Sequence, residues 1–172
     1  ILTDPSYMSQ ILAFTFPHVG NVGVNVEDVE QVTEVAGKAA VGAVFRDLPT
    51  APANWRSGGD FDNWLKSRNV VALAGVDTRA LTQLIRDKGA PHAVIAHDPE
   101  GNFDLEALVA KAKAWTGLVG LDLAKEATTL QAFEWDQGVW EWPAGYPRVE
   151  ATDKNVVVID YGVKRNILRA LA

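Results

Sequence analysis

The sequence predicts an α/β fold, and three features carry that prediction. The apolar runs Val70-Val-Ala-Leu-Ala74 and Val156-Val-Val-Ile159 lack the polar alternation of a half-exposed strand, as expected where both faces of a strand are covered. Each run precedes a helical pattern, with Leu81, Leu84 and Ile85 after the first and Ile167, Leu168 and Leu171 after the second. Finally, 172 residues that are 48% hydrophobic and 22% charged can build a real core, enough for one domain and the beginning of another.

Ile11–Phe16 is rich in β-branched and aromatic residues and reads as a strand, whose partner is expected upstream of residue 1. Pro17 to Asn25 reads as a structured loop around Gly20 and Gly23. It has neither the GK[ST] ending of a phosphate loop nor G-x-G-x-x-G, so a plain turn is favoured over a nucleotide site. Val41–Leu48 reads as a strand, and Pro49–Gly59 as a loop that ends at Asp60, the N-cap of a short helix through Arg68. Asn69–Val76 has the pattern of the most buried strand. Asp77 then caps a helix that carries Arg86 and Lys88 near its end and stops at Gly89.

Ala93–Ala96 reads as a short strand. Asp104 caps a helix whose Leu105, Leu108, Val109, Ala112 and Trp115 form one apolar stripe, assigned to the core. Gly117–Lys125 reads as a mixed loop and Leu130–Trp135 as a strand. Trp140, Trp142, Pro143, Gly145 and Pro147 mark an interdomain linker. Asn155–Asp160 reads as a buried parallel strand, Tyr161-Gly162 as a tight turn and Val163–Ala172 as a helix. One βα unit cannot cover its own strand, so residues 155–172 are expected to open a second domain whose remainder lies elsewhere.

Several classes of function are disfavoured. A net charge of -6 with no basic cluster speaks against nucleic acid. No apolar run approaches the roughly 20 residues that span a bilayer, and Ile1 does not open a signal peptide, so a cytoplasmic location without membrane attachment is expected. The absence of cysteine removes thiolate chemistry from this stretch. His18, His92 and His97 lack the i, i+4 spacing of a zinc pair, so no metal is assigned. Glu27, Asp28 and Glu30, and Asp60 with Asp62, read as solvated surface. Trp64 and Trp115 fall on helix faces and read as core, while Trp140 and Trp142 read as packing the linker onto a domain or partner. Ser6, after Asp4-Pro5, is a turn residue whose side chain stabilises its own backbone or faces a ligand.

Ordered runs along the chain then line up with a known family: Ile1-Leu-Thr-Asp-Pro-Ser-Tyr7, Phe16-Pro-His-Val-Gly-Asn-Val-Gly23, Arg46-Asp-Leu48, Val76-Asp-Thr-Arg79 with Leu81-Thr82, Gly120-Leu-Asp-Leu-Ala-Lys125 and Asp160-Tyr-Gly-Val-Lys-Arg-Asn166. Together they resemble the small subunit of glutamine-dependent carbamoyl-phosphate synthase. The resemblance implies an α/β protein in two parts. Residues 1–150 would be the mixed β/β/α small-subunit domain without its opening strands. Residues 151–172 would be the first βα unit of a doubly wound class I glutamine amidotransferase domain.

The resemblance also implies chemistry. A Cys nucleophile, a His base and a Glu that orients it would hydrolyse glutamine in the part of the second domain beyond this stretch, so no residue here is assigned a catalytic role. Ammonia would pass through a tunnel to a large subunit, where ATP and Mg drive carbamoyl phosphate formation from bicarbonate for arginine and pyrimidine synthesis. No cofactor is assigned to this chain. Ser6 matches a serine that contacts glutamine at the domain boundary, and it is the one ligand residue carried over. Val24, Gln31–Lys38 and the Trp-rich 135–142 stretch depart from the family pattern. The rival reading is a docking domain with no ligand contact, and the role of Ser6 separates the two.

Overall fold

A computed structural model describes residues 1–32, 39–150 and 153–172. The expected domain boundary at 150/151 and most of the divergent Gln31–Lys38 stretch lie outside the described residues. Three short strands, β1 (Ile11–Ala13), β2 (Gly42–Val44) and β3 (Val71–Leu73), form a parallel sheet in the order β1-β2-β3. The register sets Ile11 beside Gly42 and Gly42 beside Val71. In place of the partner expected upstream of residue 1, β1 pairs with β2.

The order also corrects the assignment of the most buried strand. β3 lies on the sheet edge with Leu73 exposed, whereas β2 lies between its neighbours with Ala43 at 0% exposure. Gly42 belongs there because a Cβ would come within 2.9 Å of the Ile95 side chain. On the covered face, Leu2, Ala40, Ala43, Phe45, Phe61 and Leu65 form the core. Phe45 packs with ring centroids 5.3 Å from Phe14 and 5.5 Å from Phe61. Trp64 stacks on Phe61 and reinforces the cluster, as its helix position predicts.

The predicted caps form. Asp60 accepts the Asn63 N–H at the start of α1 (Phe61–Ser67), Asp77 the Ala80 N–H at α2 (Thr78–Lys88), and Asp104 the Ala107 N–H at α3 (Leu105–Ala114). Each bond satisfies a donor that the first helical turn leaves open. Gly20, with φ +90°, lies against Phe61, where a Cβ would approach to 2.9 Å. The loop glycine therefore serves core packing.

Other assignments change. The α3 stripe is not core: Leu105 is 70% exposed, Val109 and Trp115 are exposed too, and no residue of the helix is buried. Amphipathic spacing states which face would be buried, and here no described element covers it. Ala93–Ala96 and Leu130–Trp135 form no strand, and neither pairs with β1, β2 or β3. Within the expected loop at 117–125 a helix begins, α4 (Leu123–Ala127), capped by Asp122 through the Lys125 N–H. The linker carries antiparallel bridges Gln137 to Arg148 and Glu141 to Gly145. Trp55 meets Trp142 edge-on at 5.2 Å, and the Arg56 guanidinium lies 5.1 Å over Trp140, so the tryptophans pack the linker onto the 50s loop.

Residues 155–160 form no strand, and Val157 is 89% exposed. The turn at Tyr161-Gly162 forms with Gly162 at φ +96°, and α5 (Arg165–Leu171) follows. Among its apolar residues Leu168 is buried, while Ile167 and Leu171 are exposed. No helix among the described residues is long and apolar enough to cross a membrane.

Candidate functional site

Ser6 lies in a 3-10 turn, Pro5–Tyr7, with Asp4 as its cap. Proline at the first position presets φ and has no N–H to leave unpaired. One oxygen of the Asp4 carboxylate accepts the Ser6 N–H at 2.9 Å, and the other accepts Lys164 Nζ at 2.8 Å. Asp4 is only 7% exposed. Burial pushes its pKa up, but Lys164 and the Ser6 backbone and hydroxyl outweigh this and hold it below the ordinary 3.8. Asp4 raises the Lys164 pKa above 10.5 in return. Ser6 itself is exposed at the rim of this pair.

The run Asp160–Asn166 forms the other wall. Asp160 accepts the N–H groups of Gly162 at 2.7 Å and Val163 at 2.8 Å with one oxygen, and that of Thr129 at 2.8 Å with the other. These donors offset burial and keep its carboxyl below 3.8. Gly162 passes so close to α4 that a Cβ would come within 2.9 Å of Ala127. Downstream, Arg165 N–H donates to the Glu30 carbonyl at 3.0 Å, and Asn166 donates twice to the Glu30 carboxylate, at 3.1 Å from its backbone and 2.5 Å from its side chain. Glu30 N–H donates to Thr3 Oγ1 at 3.0 Å, which returns the network to the Ser6 turn.

The structure thus brings Ser6 to a seam between the first residues and the last, beside a fixed ion pair. It does not bring the histidines there. His18 lies 3.5 Å from Asp47, His92 packs edge-on against Trp115, and His97 is exposed. Glu27 and Asp28, read as solvated, both receive Arg56. Sequence reasoning missed Asp4, Glu30, Asp160, Lys164 and Arg169 as members of the seam. Asp160 carried a signal, an Asp two residues before Gly, which is the pattern of a side chain that closes a turn on its own backbone. The long-range partners carried none, because an Asp4 to Lys164 pair spans almost the entire chain.

Comparison with known proteins identifies the family. Residues 1–95 match the family described as carbamoyl-phosphate synthase small chain, CPSase domain. Over its full length the chain is 72% identical to the carbamoyl phosphate synthase small chain of Caulobacter vibrioides and 57% identical to that of Mesorhizobium japonicum. It spans 44% and 43% of the length of those relatives. It is also 56% identical to the small chain of Rhizobium meliloti, covering 43% of it. The chain belongs to the carbamoyl-phosphate synthase small chain family.

Proposed function

We propose that this chain is the N-terminal part of a glutamine-handling subunit that supplies ammonia to a large subunit, where ATP, Mg and bicarbonate yield carbamoyl phosphate. In this reading residues 1–150 form the small-subunit domain, and residues 151–172 open the amidotransferase domain that carries the nucleophile. The protein works in the cytoplasm, and the chain itself holds no cofactor. Ser6 contacts glutamine at the boundary between the two parts. The observation that carries the reading is the Asp4 to Lys164 pair, which fixes the Ser6 turn against the Asp160–Asn166 run. Ammonia must be sheltered from water on transfer, because protonation would remove its lone pair.

The test is Ser6→Ala in the full-length subunit assembled with its large subunit. Loss of a hydrogen bond to substrate should raise the glutamine KM about tenfold, while synthesis from added ammonia stays unchanged. An unchanged KM would remove Ser6 from the glutamine site. The exposed apolar face of α3, with Leu105 and Val109, favours a second reading in which this part of the protein only docks. That reading gains if Ser6→Ala is silent and if charged substitutions at Leu105 and Val109 separate the subunits.

A further inference from the structure

Arg169 is 4% exposed, and its guanidinium joins segments far apart in sequence. Nε donates to Gln137 Oε1 at 2.9 Å, one terminal nitrogen to Asn166 Oδ1 at 3.0 Å, and the other to the Glu27 carbonyl at 3.2 Å. One face lies 3.5 Å above the Tyr146 ring. These partners are uncharged, so the cation is satisfied by geometry, through its planar fork and its stacking face. The network continues from Asn166 to the Glu30 carboxylate and from Glu30 N–H to Thr3 Oγ1, next to Asp4 and the Ser6 turn.

We propose that Arg169 is a positioning residue for the glutamine site: it ties α5, the Glu27–Glu30 segment and the 137–146 linker together, and so holds the Ser6 turn in place. The proposal rests on the reading that Ser6 contacts glutamine. Arg169 touches neither Ser6 nor any reacting atom. Its influence runs through Asn166 and Glu30, a chain of discrete bonds that substitution can interrupt link by link. A lysine at this position keeps the charge but loses the fork and the flat face, so it should not replace arginine.

The experiment compares wild type, Arg169→Met and Arg169→Lys in the full-length subunit with its large subunit. Amide hydrogen exchange is read at Ser6, Tyr7 and Met8, with the core amides of β2 and Phe45 as an internal standard for global opening. Both variants should speed exchange in the Ser6 turn severalfold with the β2 amides unchanged, raise the glutamine KM about fivefold and leave synthesis from added ammonia intact. Unaltered exchange in the Ser6 turn, or equal acceleration in β2, overturns the proposal. Full function in Arg169→Lys overturns it too, because charge alone would then suffice. If Arg169→Met does not fold, Tyr146→Leu, which removes the stacked ring and keeps the three Arg169 hydrogen bonds, is judged by the same two readouts. Should Ser6→Ala leave the KM unchanged while Arg169→Met still loosens the turn, the glutamine reading fails and the positioning role stands.

Discussion

β2 and the segment Val156–Ile159 look alike in sequence and differ in structure. Both are short apolar runs without alternation. β2 lies between two parallel strands with Ala43 at 0% exposure, whereas Val157 is 89% exposed and hydrogen-bonds to no strand among the described residues. An apolar pattern therefore states a demand for cover. Whether cover arrives depends on other parts of the chain, and β2 obtains it from β1, β3 and α1. The ends of the two regions differ in the opposite sense. Past Val158 and Ile159 the chain enters the Asp160–Asn166 seam, tied by hydrogen bonds to residues 30 and 129 and by the Lys164 ion pair to Asp4. Polar contacts anchor what apolar contacts leave exposed.

The contrast predicts a graded response to substitution. Phe45→Ala should have the largest effect, because Phe45 is 1% exposed and removes its ring from Phe14 and Phe61 at once. Truncation of a buried aromatic costs about 4 kcal/mol, including the cavity left behind. Urea unfolding would measure it, and a loss under about 1 kcal/mol would mean that β2 is not the centre of the fold. Gly162→Ala should come next, at about 2 kcal/mol. The substitution places a Cβ 2.9 Å from Ala127 at a backbone φ of +96°. A neutral result there would show that α4 and the Asp160 turn move independently.

The difference between local and distant information explains what was legible in the sequence. Caps at Asp60, Asp77 and Asp104 were readable because each needs only a side-chain oxygen and an N–H three residues on. The turn at Gly162 was readable for the same reason. The rank of strands was not, since β3 has the more apolar sequence yet takes the edge, and strand order is a property of the chain path. Assigning the α3 stripe to the core failed because spacing defines a face without naming its partner. At the candidate site, Ser6 was legible through its motif, but the Asp4 to Lys164 pair that holds its turn joins the first and last parts of the chain and leaves no local trace.

That pair supplies a prediction in pH. The folded-state pKa of Asp4 lies below 3.8, so its contribution is fully present above 3.8 and is lost as pH falls through the folded value. The folded-state pKa of Lys164 lies above 10.5, so its contribution is present below 10.5 and is lost as pH rises through the folded value. Lys164→Met should therefore cost most between these limits, about 1 kcal/mol, because water reaches the ammonium and weakens the pair. The stability difference between wild type and variant, followed by urea unfolding across pH, should shrink at both ends. A difference that is flat with pH would mean that the lysine acts only through packing of its stem.

The smallest effect is expected at Val157, and it is the sharpest test of the comparison. Val157→Thr keeps the β-branched shape and adds a hydroxyl that water can satisfy, so at 89% exposure the stability of this chain should change by less than about 0.5 kcal/mol. The same exchange at a position covered on both faces would bury an unpaired hydroxyl, at roughly 1–3 kcal/mol. Measured side by side in this chain and in the full-length subunit, the substitution reports directly whether the strand acquires neighbours. Near-zero cost in the short chain with a clear cost in the long one means that the apolar run is a sheet strand awaiting its partners. Equal, negligible costs in both would mean that the run stays at the surface, and the α/β reading of residues 155–172 would lose its main support.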